Sequence, residues 1–299
     1  MGTSPTISAH QPHFHLVTPT YNSAATLDEM FRSIYRQSAV TGGDLAQISV
    51  IDGASTDETL TLIENWRERF EQRVQSLDIS LAFQVISEPD EGIYDAMNKG
   101  IAAVLSAADD ADLIILLNSD DYLCDHTLQR VAAAASKHPE AGLFYGELEF
   151  VTAEGKLTNR HYPVQKHLEP SSFAGGMPLA HPATFVRAGV YRDYGLFNTQ
   201  YRIAADYDLL YRFIRKGVRA WYIPELLTIM REGGVSTDRA FEVMSYREDI
   251  AVRIAAGARP LSEWLRYYHK RLNGRLYRSA SHLPGVEKAY AQYKQRPLE

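Results

Sequence analysis

The chain has 299 residues, 45% of them hydrophobic and 23% charged, with a formal net charge of −6. This is the profile of a soluble globular protein built as one large domain or one domain with an appendage, and the acidic balance disfavours nucleic acid as a partner. The single cysteine, Cys124, excludes an internal disulfide and a thiolate zinc site and points to a reducing, cytoplasmic compartment; no apolar run approaches the roughly 20 residues that span a bilayer, and no basic-then-apolar leader opens the sequence.

Residues 1–13 read as a loose lead-in. The first strand is His15-Leu16-Val17-Thr18, ended by Pro19, and Thr20-Tyr21-Asn22-Ser23 opens the next element. Leu27, Met30, Phe31, Ile34 and Tyr35 then recur at helical spacing. A second strand, Gln47–Ile51, stops at Asp52-Gly53-Ala54-Ser55-Thr56-Asp57, where Thr56 or Asp57 caps a helix carrying Leu60, Leu62, Ile63 and Trp66. This alternation predicts an α/β fold with a parallel sheet. The turn after the first strand is neither G-x-G-x-x-G nor G-x-x-x-x-G-K-[ST], which weighs against a dinucleotide dehydrogenase and a P-loop hydrolase. A carboxylate, Asp52, can instead accept hydrogen bonds from ring N–H groups and ribose hydroxyls.

The third strand, Leu81–Ser87, leads into Glu88-Pro89-Asp90-Glu91-Gly92-Ile93-Tyr94-Asp95-Ala96-Met97-Asn98-Lys99-Gly100, the densest polar cluster of the chain. Pro89 and Gly92 set a turn, and a helix follows with Ile93, Met97 and Ile101 on its apolar side. Asp95 and Asn98, three apart, share a face, and Lys99 suits a diphosphate; a capped surface helix is the competing reading. Next, Leu113 to Leu117 form an unbroken apolar run that stops at Asn118-Ser119-Asp120-Asp121. Such a run reads as a strand buried on both faces, and ligands of open α/β sheets bind beyond the carboxyl ends of the strands. Hard divalent cations take oxygen ligands and bridge carboxylates to phosphates, which makes Asp120 a candidate metal ligand. Asn, Ser and Asp after a strand also make plain turns and helix caps.

Four segments in this order, V-T-P-T-Y-N, V-I-D-G-A-S-T-D-E-T, E-P-D-E-G-I-Y-D-A-M-N-K-G-I and L-L-N-S-D-D, resemble those of the family 2 glycosyltransferases, particularly bacterial enzymes of exopolysaccharide, colanic-acid and O-antigen synthesis. The likeness covers roughly residues 14–236. It implies a GT-A fold, with a nucleotide-sugar half over about 14–122 and an acceptor half over about 123–236. It also implies a UDP- or GDP-linked sugar donor, Mn²⁺ or Mg²⁺, and inversion at the anomeric carbon. Carried over by position, Pro19, Tyr21, Asp52 and Asp90 would line the base and ribose. Asn98 and Lys99 would lie near the phosphates or support the loop. Asn118-Ser119-Asp120 occupies the place of the family's D-x-D; Asn118 offers a carbonyl oxygen without charge, leaving Asp120 as the stronger ligand, with Asp121 beside it facing the substrate.

Further on, Gly142–Phe150 reads as a strand and Thr152–Pro163 as a hairpin, antiparallel additions that build the acceptor side. Two glycines and two prolines make Phe173–Phe185 a loop; His181 lies there, at a place where the family often has a substrate-contacting His, although a lone His is more often a core residue. Ala204-Ala205-Asp206-Tyr207-Asp208-Leu209 resembles the family's E-D-x-D-L helix start, with Ala205 replacing the acidic residue. Inverting transfer needs one carboxylate to take the acceptor proton, and the resemblance makes Asp206 that base; capping the helix Tyr207–Lys216 is its alternative role. Asp208 is a further acceptor candidate or a partner for Arg212, four residues on. Gly217–Pro224 is read as the last strand; the resemblance implies that the stretch Arg231–Ser236 forms a loop closing over the donor, with Arg231 or Ser236 as diphosphate contacts and Gly233-Gly234 permitting motion, and a simple linker is the alternative.

The tail, 237–299, reads as a helical extension. Leu261, Trp264, Leu265, Tyr268, Leu272 and Leu276 share one helical side with Arg266, Lys270, Arg271, Arg275 and Arg278 nearby. A basic, aromatic helix of this kind suits an anionic membrane surface through 261–278, or packs on the catalytic domain or a second subunit. The expected partners are a nucleotide-sugar and a glycan or lipid-linked acceptor, at the inner face of the cytoplasmic membrane. A sugar-phosphate nucleotidyltransferase is the runner-up, disfavoured because Pro19–Ser23 is not a glycine- and basic-rich loop. A non-catalytic carbohydrate-binding or scaffold protein on the same fold is the third reading.

Overall fold

The computed structural model describes residues 12–162, 164–232, 239–265 and 268–269. Strands β1 (Phe14–Thr20), β2 (Leu45–Asp52), β3 (Ala82–Ser87) and β4 (Leu113–Leu116) alternate with helices α1 (Leu27–Tyr35), α2 (Ser38–Gly42), α3 (Thr59–Leu77) and α4 (Ile93–Leu105). The chain continues through β5 (Tyr122–Leu123), α5 (Thr127–Lys137), β6 (Leu143–Val151), β7 (Leu157–His161), β8 (Thr184–Arg187), α6 (Ala188–Tyr194), α7 (Ala205–Arg215), β9 (Ala220–Arg231) and α8 (Arg239–Ala255). All strands belong to one sheet of order β3-β2-β1-β4-β8-β6-β9-β5, with β7 hydrogen-bonded to β6. The β3-β2-β1-β4 half is parallel throughout. At β4 the sheet changes: β8 pairs antiparallel to β4 and to β6, while β9 runs parallel to β6.

Each face of the sheet carries its own core. Leu113, Ile115 and Leu117 join Leu16, Phe31, Phe70 and Phe144 on one side; Ile114 and Leu116 join Val17, Ile51, Met97 and Phe213 on the other. The unbroken apolar run of β4 is therefore a strand covered on both faces, as its composition predicts. In α1 the expected stripe is buried at Leu27, Met30, Phe31 and Ile34; in α3, Ile63, Trp66, Phe70 and Val74 face inward and Leu60 stays exposed.

Two strands run past prolines at which the sequence reading ends them. Pro19 does not end β1, which continues to Thr20 opposite Asp52. The β4 ladder stops at Val17↔Leu116, so the nitrogen of Pro19 faces a side with no partner to supply, as on an edge strand. Pro224 likewise lies inside β9, where the register with β6 jumps from Tyr145↔Tyr222 to Glu147↔Leu226. The irregularity absorbs the missing donor, and the strand runs on to Arg231.

Helix α4 sits unusually close to the sheet. A Cβ built on Gly100 would meet Val17 Cγ1 at 2.3 Å and Ile51 Cγ1 at 3.1 Å, so only glycine allows this approach. Gly100→Ala is expected to destabilise the protein by about 1–3 kcal/mol through overpacking, read as a lower urea midpoint with an unchanged m-value.

Candidate active site

The carboxyl ends of β1, β2, β3 and β4 converge on one rim of the sheet, where several of the candidate residues meet. Gly53 N donates to Thr20 O at 2.9 Å and Glu88 N to Asp52 O at 3.0 Å, tying the three loops together. Gly53 is pressed between two candidates: a Cβ there would meet Asp90 Oδ2 at 2.6 Å and the Tyr21 ring at 3.5 Å. Tyr21 is 63% exposed and offers its ring to a ligand, whereas Pro19 and Asp52 are buried. Both Asp52 oxygens are engaged, accepting from Ser55 N at 3.0 Å, Ser55 Oγ at 2.5 Å and Ser87 Oγ at 2.7 Å. Asp52 thus shapes its own turn. Asp90 accepts from Gly92 N at 2.9 Å through one oxygen.

Asn98 and Lys99 are held by protein groups. Asn98 Oδ1 accepts from Phe197 N at 2.9 Å while its Nδ2 donates to Phe197 O at 3.0 Å, a two-way clamp that fastens α4 to the chain ahead of α7. Lys99 Nζ lies 2.8 Å from Glu88, 3.3 Å from Asp95 and 3.1 Å from the Pro89 carbonyl oxygen, stitching the loop after β3 to α4.

The turn after β4 holds the acidic pair. Ser119 Oγ is 2.8 Å from Ser23 Oγ, joining this turn to the loop after β1. Asp121, 1% exposed, accepts from Arg231 N at 3.1 Å and Asn118 Nδ2 at 3.2 Å. Burial and the adjacent Asp120 charge push Asp121 up to about 8; burial raises Asp120 as well, opposed by Arg231. Asn118 Oδ1 is buried without a hydrogen-bond partner. An unsatisfied carbonyl oxygen beside two under-neutralised carboxylates is an oxygen donor set that fits a hard divalent cation. Among the described residues no group of three or more His, Cys, Asp or Glu side chains could hold a metal ion by itself. The Arg231 guanidinium donates to the carbonyl oxygens of Ala153 at 2.7 Å and Thr152 at 3.4 Å and pairs with Glu29. Its Nε is buried and unpartnered.

Asp206 forms a second centre, in the first turn of α7. It is half-buried, and its Oδ1 accepts from Tyr207 N at 2.7 Å. The Tyr94 hydroxyl, from α4, donates to Ile203 O at 2.6 Å and lies 3.4 Å from Asp206 Oδ1. Desolvation pushes Asp206 above the usual carboxylate range; His181, the Tyr207 amide and Tyr94 pull it back. Burial lowers His181, against the Asp206 charge, which favours a neutral imidazole. The His181 ring meets Phe197 edge-on at 5.7 Å, and Phe197 stacks on Tyr94 at 5.2 Å. Asp208 points away into an ion pair with Arg212 at 3.2 Å; Arg212 in turn donates to Leu196 O at 2.7 Å.

Sequence reasoning missed Tyr94 and Glu248. Glu248, in α8, accepts from the backbone N–H groups of Arg202, Ile203 and Ala204 at 3.1, 2.8 and 2.9 Å. Tyr94 was visible only as a member of the polar cluster after β3, and the partner amides of Glu248 lie over 40 residues away in the chain, beyond any local pattern. Gly233, Gly234 and Ser236 lie outside the described residues, as do Arg266, Lys270, Arg271, Leu272, Arg275, Leu276 and Arg278.

A parallel half-sheet whose loops gather carboxylates, joined to a mixed half that supplies one further, half-buried carboxylate, is the GT-A architecture of glycosyl transfer. The model of the family described as glycosyl transferase family 2 matches residues 15–195, and the chain belongs to that family; it is a glycosyltransferase. A PGL/p-HBAD biosynthesis glycosyltransferase of Mycobacterium bovis is 30% identical over 218 residues, 73% of each chain. The poly(ribitol-phosphate) beta-N-acetylglucosaminyltransferase TarS of Staphylococcus aureus is 27% identical over 125 residues, 42% of this chain and 19% of that protein. Among solved structures, S. aureus TarS 1-349 in complex with UDP superposes with a TM-score of 0.58 at 18% identity, over 84% of this chain and 68% of that one. The mannosyltransferase PcManGT of Pyrobaculum calidifontis, in complex with GDP-Man and Mn2+, gives 0.56 at 17% identity, over 95% and 79%.

Proposed function

We propose that the protein transfers a sugar from a nucleoside-diphosphate donor to a glycan or lipid-linked acceptor of a cell-surface polysaccharide, inverting the anomeric carbon. The observation that carries this reading is the desolvated Asp206 carboxylate, joined through α4 to the rim that holds Tyr21, Asp90 and the Asn118–Asp121 turn. Tyr21 stacks on the base, Asp90 receives base or ribose donors, and Asp52, Asn98 and Lys99 keep the surrounding loops in place. A divalent cation held by Asp120, with the Asn118 carbonyl oxygen in reach, would neutralise charge on the leaving diphosphate. Asp121 fixes the backbone of Arg231, whose guanidinium adds positive charge at that side. Asp206 takes the proton of the acceptor hydroxyl as the new C1–O bond forms and the bond from C1 to the diphosphate oxygen breaks. His181 borders the acceptor side, while Asp208 stays in its ion pair with Arg212.

The test is a thermal-shift and calorimetric screen of UDP, GDP, dTDP and CMP, each with and without Mn²⁺. Binding to the folded state alone raises the melting temperature; a metal-dependent shift with one diphosphate names the donor class. Absence of any shift would sink the nucleotide-sugar reading.

The neighbouring protein that binds UDP and the one that binds GDP-Man with Mn2+ support a nucleotide donor and a cation without choosing among them. A cytoplasmic enzyme meeting a lipid-linked acceptor also needs a membrane-facing surface. No helix among the described residues is long and apolar enough to cross a membrane. However, Leu261 and Leu265, 73% and 60% exposed, flank the buried Glu263 on a helical stretch over 260–265. From residue 262 onward the sequence carries an excess of five positive charges. That combination suits peripheral contact with an anionic bilayer. Leu261→Glu with Leu265→Glu is expected to reduce co-sedimentation with phosphatidylglycerol vesicles while leaving nucleotide shifts intact; undiminished sedimentation would remove the membrane role.

A further inference from the structure

Helix α8 and the segment that carries Asp206 both lie beyond the family match, and the helix grips that segment. The Glu248 carboxylate accepts all three amides of Arg202, Ile203 and Ala204, at 2.8–3.1 Å. These are the last residues before α7, and Ala204 is its N-cap, whose N–H has no partner within the helix. Five residues along α8, Arg253 Nη1 donates to the Tyr207 hydroxyl at 3.0 Å, and Arg253 is itself held by the buried Glu263 at 2.7 Å. The Tyr207 hydroxyl donates to Phe173 O at 2.5 Å. Asp206 therefore sits between two fastenings to α8, while Tyr94 takes the Ile203 carbonyl from the opposite element.

We propose that Glu248 is a positioning residue for the catalytic base: by holding residues 202–204 it sets the start of α7 and hence the direction of the Asp206 carboxylate. The proposal rests on Asp206 being the base. Glu248 does not touch the reacting atoms, because its oxygens are taken up by the three amides. Its effect should fall on turnover and not on donor binding, which belongs to the rim of β1–β4. Displacement of a catalytic group by about an ångström costs on the order of 100-fold in rate.

The experiment uses the full chain and the nucleotide-sugar (among UDP-glucose, UDP-GlcNAc, GDP-mannose and dTDP-rhamnose) that shifts its melting temperature most, with release of nucleoside diphosphate as the rate. Amide exchange over residues 201–209 is read in parallel. In Glu248→Ala the exchange protection should fall and kcat drop about 10- to 100-fold, with KM for the donor and the nucleotide-induced thermal shift unchanged. Glu248→Gln keeps an acceptor oxygen and should recover most of the lost rate and protection. In the Asp206→Asn background, Glu248→Ala should add nothing. A parental rate in Glu248→Ala, or a second loss of equal size on top of Asp206→Asn, would overturn the positioning role. A parental rate in Asp206→Asn alone would sink the base reading instead, and the exchange result would then decide whether Glu248 holds the segment.

Discussion

Asp206→Asn is expected to lower kcat by about 10²- to 10⁴-fold, the usual contribution of a general base, while donor binding is retained. The substitution preserves the oxygen that accepts from Tyr207 N, so the helix start survives and the loss is chemical. The pH profile carries a second signature. Burial raises the native Asp206 above the ordinary aspartate value of about 3.9, so the acid limb of the parental profile lies above that value and activity is lost as pH falls through the raised one. Stability follows the opposite sense. A carboxyl raised in the folded state favours folding while protonated, and that advantage is lost as pH rises from the unfolded value through the folded one. Asp206→Asn should therefore melt higher than the parent at neutral pH, with the gap narrowing as pH falls through the raised value toward the ordinary aspartate range. A melting curve at pH 7.5 and another at pH 4 check this; equal kcat in the two proteins would remove Asp206 from the mechanism.

The second large effect is expected at Asp120. Removing its carboxylate should abolish the metal-dependent nucleotide shift and reduce turnover by about 10²- to 10⁴-fold, the rate equivalent of the several kcal/mol that a bound cation supplies to a leaving diphosphate. Asn118→Ala should cost less, because it deletes a neutral oxygen, the one left buried and unpartnered. Chelation of the parent should reproduce Asp120→Ala, and added Mn²⁺ should rescue the chelated parent but not the variant. Metal-independent turnover by both proteins would separate this enzyme from the cation mechanism.

What the residues disclosed in advance depended on the range of the physics. The strand of Leu113–Leu117 was legible because burial on two faces demands an unbroken apolar run, and α1 because its stripe has one period. The turns after β1, β2 and β4 were legible because short polar side chains at strand ends are local features. The limits of β1 and β9 were not, because whether Pro19 or Pro224 interrupts a strand depends on what the neighbouring strand does at that level. Lys99 looked like a phosphate ligand from its charge; its partners Glu88 and Asp95 were in plain view nearby, but sequence cannot say which of two anions a lysine meets. Tyr94 and Glu248 depend on tertiary approach across 109 and 44 residues.

The docking of α8 on α7 also bears on how such enzymes can be recombined. An exchange of C-terminal portions between relatives made at the end of β9 would place the crossover at Arg231. A chimera joined there would pair one parent's α7 with the other's α8. The Arg202–Ala204 amides and the Tyr207 hydroxyl would then face side chains never matched to Glu248 and Arg253, with Ile250 and Val252, both 2% exposed, set against a foreign surface. Crossovers ahead of Tyr201, which keep α7 and α8 from one parent, preserve that match and give hybrid libraries a larger folded fraction.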